Sequence, residues 1–161
     1  MPRKAAPTPS PAVATGTRAK PRQAPSAPSR RLDVFPNPSP KRDYHIHIQV
    51  PEFTCNCPLT GQPDFAHLSI DYIADKLCVE LKALKMYMWS YRDQGVFHEK
   101  VTNDILDDLV AALQPRFMRI TAKWFVRGGL YTNVIVEHQR KGWKPAPRVD
   151  LTQFDLAKPV A

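Results

Sequence analysis

The chain has 161 residues with 23 basic and 15 acidic side chains, a length typical of one domain and a net charge of +8. Seven of the basic residues and none of the acidic ones lie in residues 1–32, so the rest of the chain is nearly neutral. A basic tail on a neutral body argues against nucleic-acid binding by the folded part. No apolar run approaches the ~20 residues that span a bilayer, so we expect a soluble protein.

The amino-terminal segment is rich in proline and alanine, and ten of the 17 prolines fall in residues 1–40. Such a composition buries too little apolar surface to offset the entropy lost on ordering. We therefore predict a disordered basic tail over residues 1–34. The folded domain is expected over residues 35–161, with an irregular extension after its last strand.

Four strands and two helices are predicted from the hydrophobic periodicity. In chain order these are strands over 44–50 and 65–74, helices over 76–95 and 98–115, and strands over 116–126 and 130–138. The order β-β-α-α-β-β predicts an α+β fold, in which a four-stranded antiparallel sheet carries two helices on one face. Its other face and both edges would stay uncovered. We therefore expect a ring-shaped homo-oligomer with sites at the subunit joints.

Three cysteines, Cys55, Cys57 and Cys78, occur in a chain without a secretory signal. This usage predicts free thiols in a reducing, cytoplasmic compartment rather than a disulfide framework.

The stretch "FTCNCPLTGQPDF", residues 53–65, allows three interpretations. Cys55 and Cys57 could bind zinc together with His45 and His47, although one intervening residue is shorter than the usual Cys-x₂₋₄-Cys spacing. Both cysteines could instead be small buried hydrophobes. In the third interpretation Cys57 is a nucleophile, and the turn folds Asp64 back as a proton donor in a desolvated setting made by the phenylalanines of the stretch.

Charged residues in and near the predicted helices also allow two interpretations. Glu99 suits the helix dipole as a first-turn acid, but its two oxygens also fit the paired donors of a guanine-like edge. Lys82 and Lys85 share a helix face, which is commonly a solvated surface, yet two cations also suit dinucleotide phosphates. No Gly-x-Gly-x-x-Gly fingerprint of a Rossmann cofactor site occurs in the sequence.

The 53–65 stretch, followed by "CVELKALKMYMWSYRDQGVFHE", resembles the single-domain family of NADPH-dependent nitrile reductases of the queuosine pathway. That family converts 7-cyano-7-deazaguanine to its aminomethyl form. The resemblance runs from Phe35 to Glu137 and includes the "FPNP" approach. It implies the tunnelling fold, whose unit has the element order predicted above, with rings whose sheets close into a barrel and which commonly stack in pairs.

The resemblance also implies roles for individual residues. Cys57 would form a covalent thioimide with the nitrile, Asp64 would donate the proton, and two NADPH would be consumed without a metal. The substrate, a small deazapurine nitrile, would be bound by Val79, Glu80, Leu81, Phe97, His98 and Glu99. The first three open the predicted first helix, where we expect uncapped N–H groups. Independently of the resemblance, the charges and positions of Lys82, Lys85 and Arg127 predict that these residues bind NADPH.

Two other functions remain open at this point. One is a zinc-dependent cyclohydrolase of the same fold that acts on a pterin or purine nucleotide. The other is an RNA-associated protein that works through its basic tail.

Overall fold

The computed structural model describes residues 27–145, so most of the predicted tail and the last part of the extension lie outside the described residues. The elements in chain order are β1 (Val34–Pro36), β2 (His45–Asn56), β3 (Pro63–Ile73), β4 (Leu77–Val79), α1 (Leu81–Trp89), α2 (His98–Leu113), β5 (Phe117–Trp124) and β6 (Asn133–Gln139). None of the described helices has the length and apolar character needed to cross a membrane.

The main sheet has the strand order β2-β3-β5-β6, and every neighbouring pair is antiparallel. Alternate residues of β3, among them Leu68 and Ile70, point into a core shared with Ile105 and Leu109 of α2. Each such fully buried aliphatic side chain stabilises the fold by about 1.5–3 kcal/mol. The four-stranded antiparallel sheet predicted from the sequence is confirmed. The strands β2 and β6 form its two edges.

The first helix begins later than its hydrophobic spacing predicts. Residues 77–79 form strand β4, which pairs with β1 in a second, two-stranded sheet. α1 starts only at Leu81, because the Glu80 side chain accepts hydrogen bonds from the backbone N–H of Lys82 at 3.0 Å and of Ala83 at 2.7 Å. Three apolar residues in a row are compatible with both the helical and the strand periodicity. Residues 77–79 form a strand because they pair with β1. The expectation of uncapped N–H groups at this turn was therefore wrong.

The packed part of the chain also begins earlier than residue 35. The backbone N–H of Ser29 donates to the carbonyl of Met86 at 3.1 Å, and the Asp33 carbonyl accepts from the Glu80 N–H at 2.9 Å. Between them the Arg30 guanidinium lies 3.7 Å from the centroid of the Tyr91 ring. Composition misses this boundary because these contacts depend on single residues and on α1 being in place.

Candidate active site

The turn that joins β2 to β3 positions Cys57. The Cys57 N–H donates to the Gln62 carbonyl at 2.8 Å, and the Gly61 N–H donates to the Cys57 carbonyl at 2.9 Å. Gly61 has φ +69°, a left-handed conformation that glycine adopts without a steric penalty. The turn therefore fixes the Cys57 backbone at the end of the hairpin, and the first residues of β3 return beside it.

A second turn brings Arg127 to the same place. Arg127 and Leu130 exchange backbone hydrogen bonds at 3.0 Å across Gly128 and Gly129, whose φ values are +57° and +80°. Two central residues with positive φ define the tight turn that suits the twist of antiparallel strands. This turn directs the Arg127 side chain back over the hairpin end.

Arg127 holds the cysteine and the aspartate together. Its Nη2 donates to Cys57 Sγ at 2.9 Å, while its Nη1 lies 2.6 and 2.7 Å from the two carboxylate oxygens of Asp64. Cys57 and Asp64 are each only 5 % exposed. A guanidinium that donates to a sulfur and to a carboxylate fixes the positions of the two groups relative to one another.

The thiol of Cys57 is activated by its surroundings. The hydroxyl of Thr60, then the Arg127 guanidinium, then the backbone N–H of Leu59 donate towards the sulfur, and together they lower the pKa of Cys57 to about 6. A thiolate rather than a thiol is the reactive nucleophile, so Cys57 is available for attack at neutral pH.

Cys55, two residues earlier, has the opposite character. It is fully buried in β2, and burial, followed by the nearby Asp64 and Cys57, raises its pKa to about 12. A buried neutral thiol of this kind is a small core residue. Cys55, Cys57 and Cys78 are all free thiols, as predicted.

His98 completes the group around Asp64. Its Nε2 lies 3.3 Å from Asp64 Oδ2, and its ring stacks on Trp124 with a centroid distance of 3.7 Å and an interplanar angle of 3°. The N–H of Val96 donates to the Asn56 carbonyl at 3.0 Å, which ties the start of α2 to the end of β2. His98 is therefore held beside the hairpin end by stacking and by backbone pairing.

Gly95 permits this close approach. A Cβ atom at Gly95 would lie 3.3 Å from the Cα of Pro58, the residue directly after the cysteine. A side chain there would push the cysteine turn away from the loop that precedes α2. The glycine that ends the predicted first helix thus has a packing role beside the site.

Phe65 does not provide the desolvated setting expected for Asp64. Phe53 is buried, but Phe65 is 46 % exposed, and its ring lies 6.4 Å from that of Phe125 between centroids, tilted by 33°. Its side chain points to the opposite side of β3, since neighbouring strand residues alternate. Asp64 is shielded instead by Arg127 and His98.

Phe97 and Glu99 flank His98 at the start of α2. Phe97 is the N-cap residue and is 53 % exposed, and Glu99 is an exposed first-turn acid. No hydrogen bond joins the Glu99 carboxylate to another residue within 27–145, whereas its backbone carbonyl accepts from Asn103 at 2.8 Å.

The other residues assigned to ligand binding lie elsewhere in the protomer. Val79, Glu80 and Leu81 line a groove of about 480 Å³. Lys85 lines a second groove of about 560 Å³ between β2 and α1, together with Trp89 and Arg92. Neither groove is lined by Cys57 or Asp64. Within one chain the sequence-predicted residues therefore form two groups, one around Cys57 and one around the start of α1.

Arg127 lies in the first group, although the sequence placed it with Lys82 and Lys85. Sequence reasoning also gave no role to Thr60 or Trp124. The threonine could have been suspected because it lies three residues after Cys57 in a turn, where a hydroxyl faces back along the chain. The stacking of Trp124 on His98 has no signal in the sequence, because it joins β5 to α2.

The four-ligand zinc set considered from the sequence does not assemble among the described residues. His45 and His47 lie at the other end of β2, where both contact Asp71. Eight residues of extended strand separate His47 from Cys55, which corresponds to about 26 Å. The zinc site of a cyclohydrolase is therefore not formed by these two pairs.

The fold and this group define a class: an α+β protein with an activated cysteine whose neighbours are an aspartate and an arginine. The chain matches the family described as QueF-like protein over residues 63–143. It is 69% identical over 131 residues to the NADPH-dependent 7-cyano-7-deazaguanine reductase of Thiobacillus denitrificans, covering 81% of this chain and 94% of that protein. It is 63% identical over 130 residues to the protein of the same name from Methylobacillus flagellatus, with 81% and 94% covered.

The chain belongs to the QueF-like family, and the resemblance predicted from its sequence is confirmed. A crystal structure of the archaeosine synthase QueF-Like in the apo form matches with a TM-score of 0.55 at 24% identity, over 58% of this chain and 91% of that one. This likeness supports the α+β fold of the tunnelling type. It carries no information on activity.

Proposed function

We propose that the chain is an NADPH-dependent reductase of 7-cyano-7-deazaguanine, which forms the aminomethyl product in queuosine biosynthesis. The observation that carries the proposal is the bridge from Arg127 to both Cys57 and Asp64. It occurs in a chain that is 61–69% identical to several proteins named as that reductase. An activated sulfur beside a carboxyl group is what addition to a nitrile requires.

The first step is covalent capture. The thiolate of Cys57 adds to the nitrile carbon, one of the carbon–nitrogen π bonds breaks, and the nitrogen takes a proton from Asp64. The product is a thioimide bound to the sulfur. Addition without the proton would leave charge on nitrogen, so the acid and the nucleophile have to act on adjacent atoms. Their shared contact with Arg127 keeps them adjacent in the free protein.

Asp64 needs a proton before it can act as an acid. In the free protein the carboxylate is held by Arg127 on one side and by His98 on the other. Substrate entry displaces the guanidinium from this pair, since the nitrile has to occupy the space beside the sulfur. His98, at 3.3 Å, is the group from which a proton reaches Asp64.

NADPH, when bound, supplies the two hydrides that take the nitrile carbon to the amine, one before and one after the thiolate leaves. The lining of the groove of about 560 Å³ is chemically suited to NADPH, because Lys85 and Arg92 offer positive charge and Trp89 offers an aromatic face. Lys82 lies on the exposed side of the same helix. Arg127, predicted as a third cofactor ligand, would have to leave Cys57 to take that role.

Substrate recognition uses the exposed acid at the start of α2. The carboxylate of Glu99 accepts from the ring N–H and the exocyclic amine of the deazaguanine edge, while Phe97 covers its face. Val79 and Glu80 line the groove of about 480 Å³, which is not lined by Glu99 or Cys57. We therefore infer that a neighbouring copy completes the site, in a ring whose sheets join at the β2 and β6 edges in the reducing cytoplasm.

The test is NADPH oxidation with 7-cyano-7-deazaguanine as the second substrate. We expect two equivalents of NADPH to be consumed for each nitrile, with the aminomethyl product detected by mass. A Cys57→Ser variant serves as the matched control and should consume none. Consumption that continues in this variant, or no oxidation by the native chain, would contradict the proposal.

A further inference from the structure

Three metal-ligating side chains meet on the sheet face opposite the helices. His45 Nε2 and His47 Nδ1 each lie 2.7 Å from Asp71 Oδ1. The three ligand atoms are within 4.8 Å of one another. They lie at the end of the hairpin remote from Cys57, and the proposed reduction does not use them.

Strand geometry builds this cluster. His45 and His47 are two residues apart on β2, so their side chains share one face. Asp71 on β3 is the register partner of His47 and lies diagonally from His45. Cross-strand neighbours of this kind have Cβ atoms about 5 Å apart, and the next diagonal positions are also within reach of long side chains. The two histidines therefore converge on one carboxylate without backbone distortion.

The charge of Asp71 is the reason to expect a cation. The residue is 7% exposed, and transfer of a carboxylate out of water is costly unless it is paired or coordinates a metal.

We propose that His45, His47 and Asp71 form a binding site for a divalent transition metal of the zinc type. Two imidazole nitrogens and one carboxylate oxygen are ligands that zinc accepts, and nitrogen ligands discriminate against magnesium and calcium. Three protein ligands leave a fourth tetrahedral position for water. His47, whose side chain is 35% exposed, is the side from which the ion enters.

Metal entry requires only a small rearrangement. Ligand atoms around tetrahedral zinc are about 3.3 Å apart, so the two contacts of 2.7 Å have to lengthen by about 0.6 Å each. Rotation of the histidine side chains provides this change. The bound ion would cross-link the edge strand β2 to the central strand β3, and its effect is to stabilise the register of that pair.

The experiment is titration of the metal-free full chain with Zn²⁺ alone, followed by calorimetry and by metal content after gel filtration. We expect one ion per chain and a higher melting temperature. Asp71→Asn and His47→Asn should each weaken binding at least tenfold. His67→Asn is the matched control, because this histidine lies on the same face of β3 about 13 Å from Asp71, and it should bind as the native chain does.

Co²⁺ in place of Zn²⁺ distinguishes this site from the cysteine pair. Nitrogen and oxygen ligands give visible absorption without the near-ultraviolet charge-transfer band of a cobalt thiolate, and a Cys55→Ser/Cys57→Ser double variant should leave the spectrum unchanged. This readout uses the native chain, so it stands even if Asp71→Asn fails to fold. The proposal would be overturned if the native chain bound no stoichiometric metal or if the cobalt spectrum showed a thiolate band. It would also be overturned if the Asp71 and His47 variants bound Zn²⁺ as tightly as the native chain.

Discussion

Strand β3 carries two buried aspartates, and their surroundings differ. Asp64, at the turn end, contacts Arg127 and His98 and lies beside the sulfur of Cys57. Asp71, at the other end, contacts two histidines. The two residues are an odd number of positions apart, so they project from opposite faces of the strand. The first faces the helix side and the second faces the side away from the helices.

The chemical partner of a buried carboxylate decides what that carboxylate is able to do. A guanidinium is always charged, and it can hold an acid next to a thiolate until a substrate displaces it. Histidines are neutral or charged around neutral pH and are also metal ligands. The same residue type is therefore suited to proton transfer at one end of the strand and to ion binding at the other.

The largest expected effect is at Cys57, which tests whether the turn end of the hairpin is the reactive one. Cys57→Ala should abolish both turnover and the covalent adduct, because Cys57 is the thiol towards which Thr60 and Arg127 donate and whose pKa they lower, whereas burial raises the pKa of Cys55. Intact-protein mass after addition of the nitrile measures the adduct. Cys55→Ala is the control and should still form it. An adduct that persists in Cys57→Ala would place the nucleophile elsewhere.

The two aspartates can be compared directly by the same substitution. Asp64→Asn should lower turnover by about 10²–10⁴-fold, as expected for loss of a general acid, while some covalent capture remains. Asp71→Asn should lower turnover less than tenfold and act mainly on stability, by about 1–3 kcal/mol for lost hydrogen bonds of a buried group. Steady-state kinetics and thermal unfolding separate the two. Similar losses of turnover in both variants would contradict the proposed difference in role between Asp64 and Asp71.

Glu99 is a third carboxylate, which is exposed at the start of a helix and can be compared with the buried Asp64 and Asp71. Glu99→Ala should weaken deazaguanine binding about 10–100-fold, the loss expected for hydrogen bonds to a charged group, and change NADPH binding much less. Separate titrations of the two ligands give the comparison. Glu99→Gln keeps the shape of the side chain and one acceptor, so its affinity for deazaguanine should lie between those of the native chain and of Glu99→Ala. Equal losses for both ligands would count against edge recognition.

The smallest effect is expected for Arg127→Ala, and its measurement reports on the reactivity of the Cys57 thiol alone. Loss of the guanidinium in Arg127→Ala should raise the pKa of Cys57 from about 6 towards that of an ordinary cysteine. Since the thiolate forms as pH rises through the pKa, alkylation by iodoacetamide at pH 7 should slow about tenfold. Arg127→Lys, which keeps the charge, should shift the profile less. An unchanged profile in Arg127→Ala would leave the activation to Thr60 and the backbone.

Much of the fold could be predicted from the sequence because its signals are local. The alternation of Ile46 and Ile48 with the neighbouring histidines and the helical spacing before Gln114 each reflect one element that buries one face. The turn at Gly128 and Gly129 has the same origin. Pairing between remote strands has no such signal, which is why β4 was taken for the start of α1.

The order of the four main strands and the two helices follows from local sequence signals, and the Gly-Gln-Pro-Asp turn between Cys57 and Asp64 joins residues that are close along the chain. Three contacts depend on the tertiary structure: Arg127 reaches those two residues, Trp124 stacks on His98, and Asp71 meets two histidines. These contacts join residues that are 24 to 70 positions apart. The free energy of a side-chain contact depends on the distance between the two side chains, and for residues remote in sequence this distance is fixed only when the strands have paired.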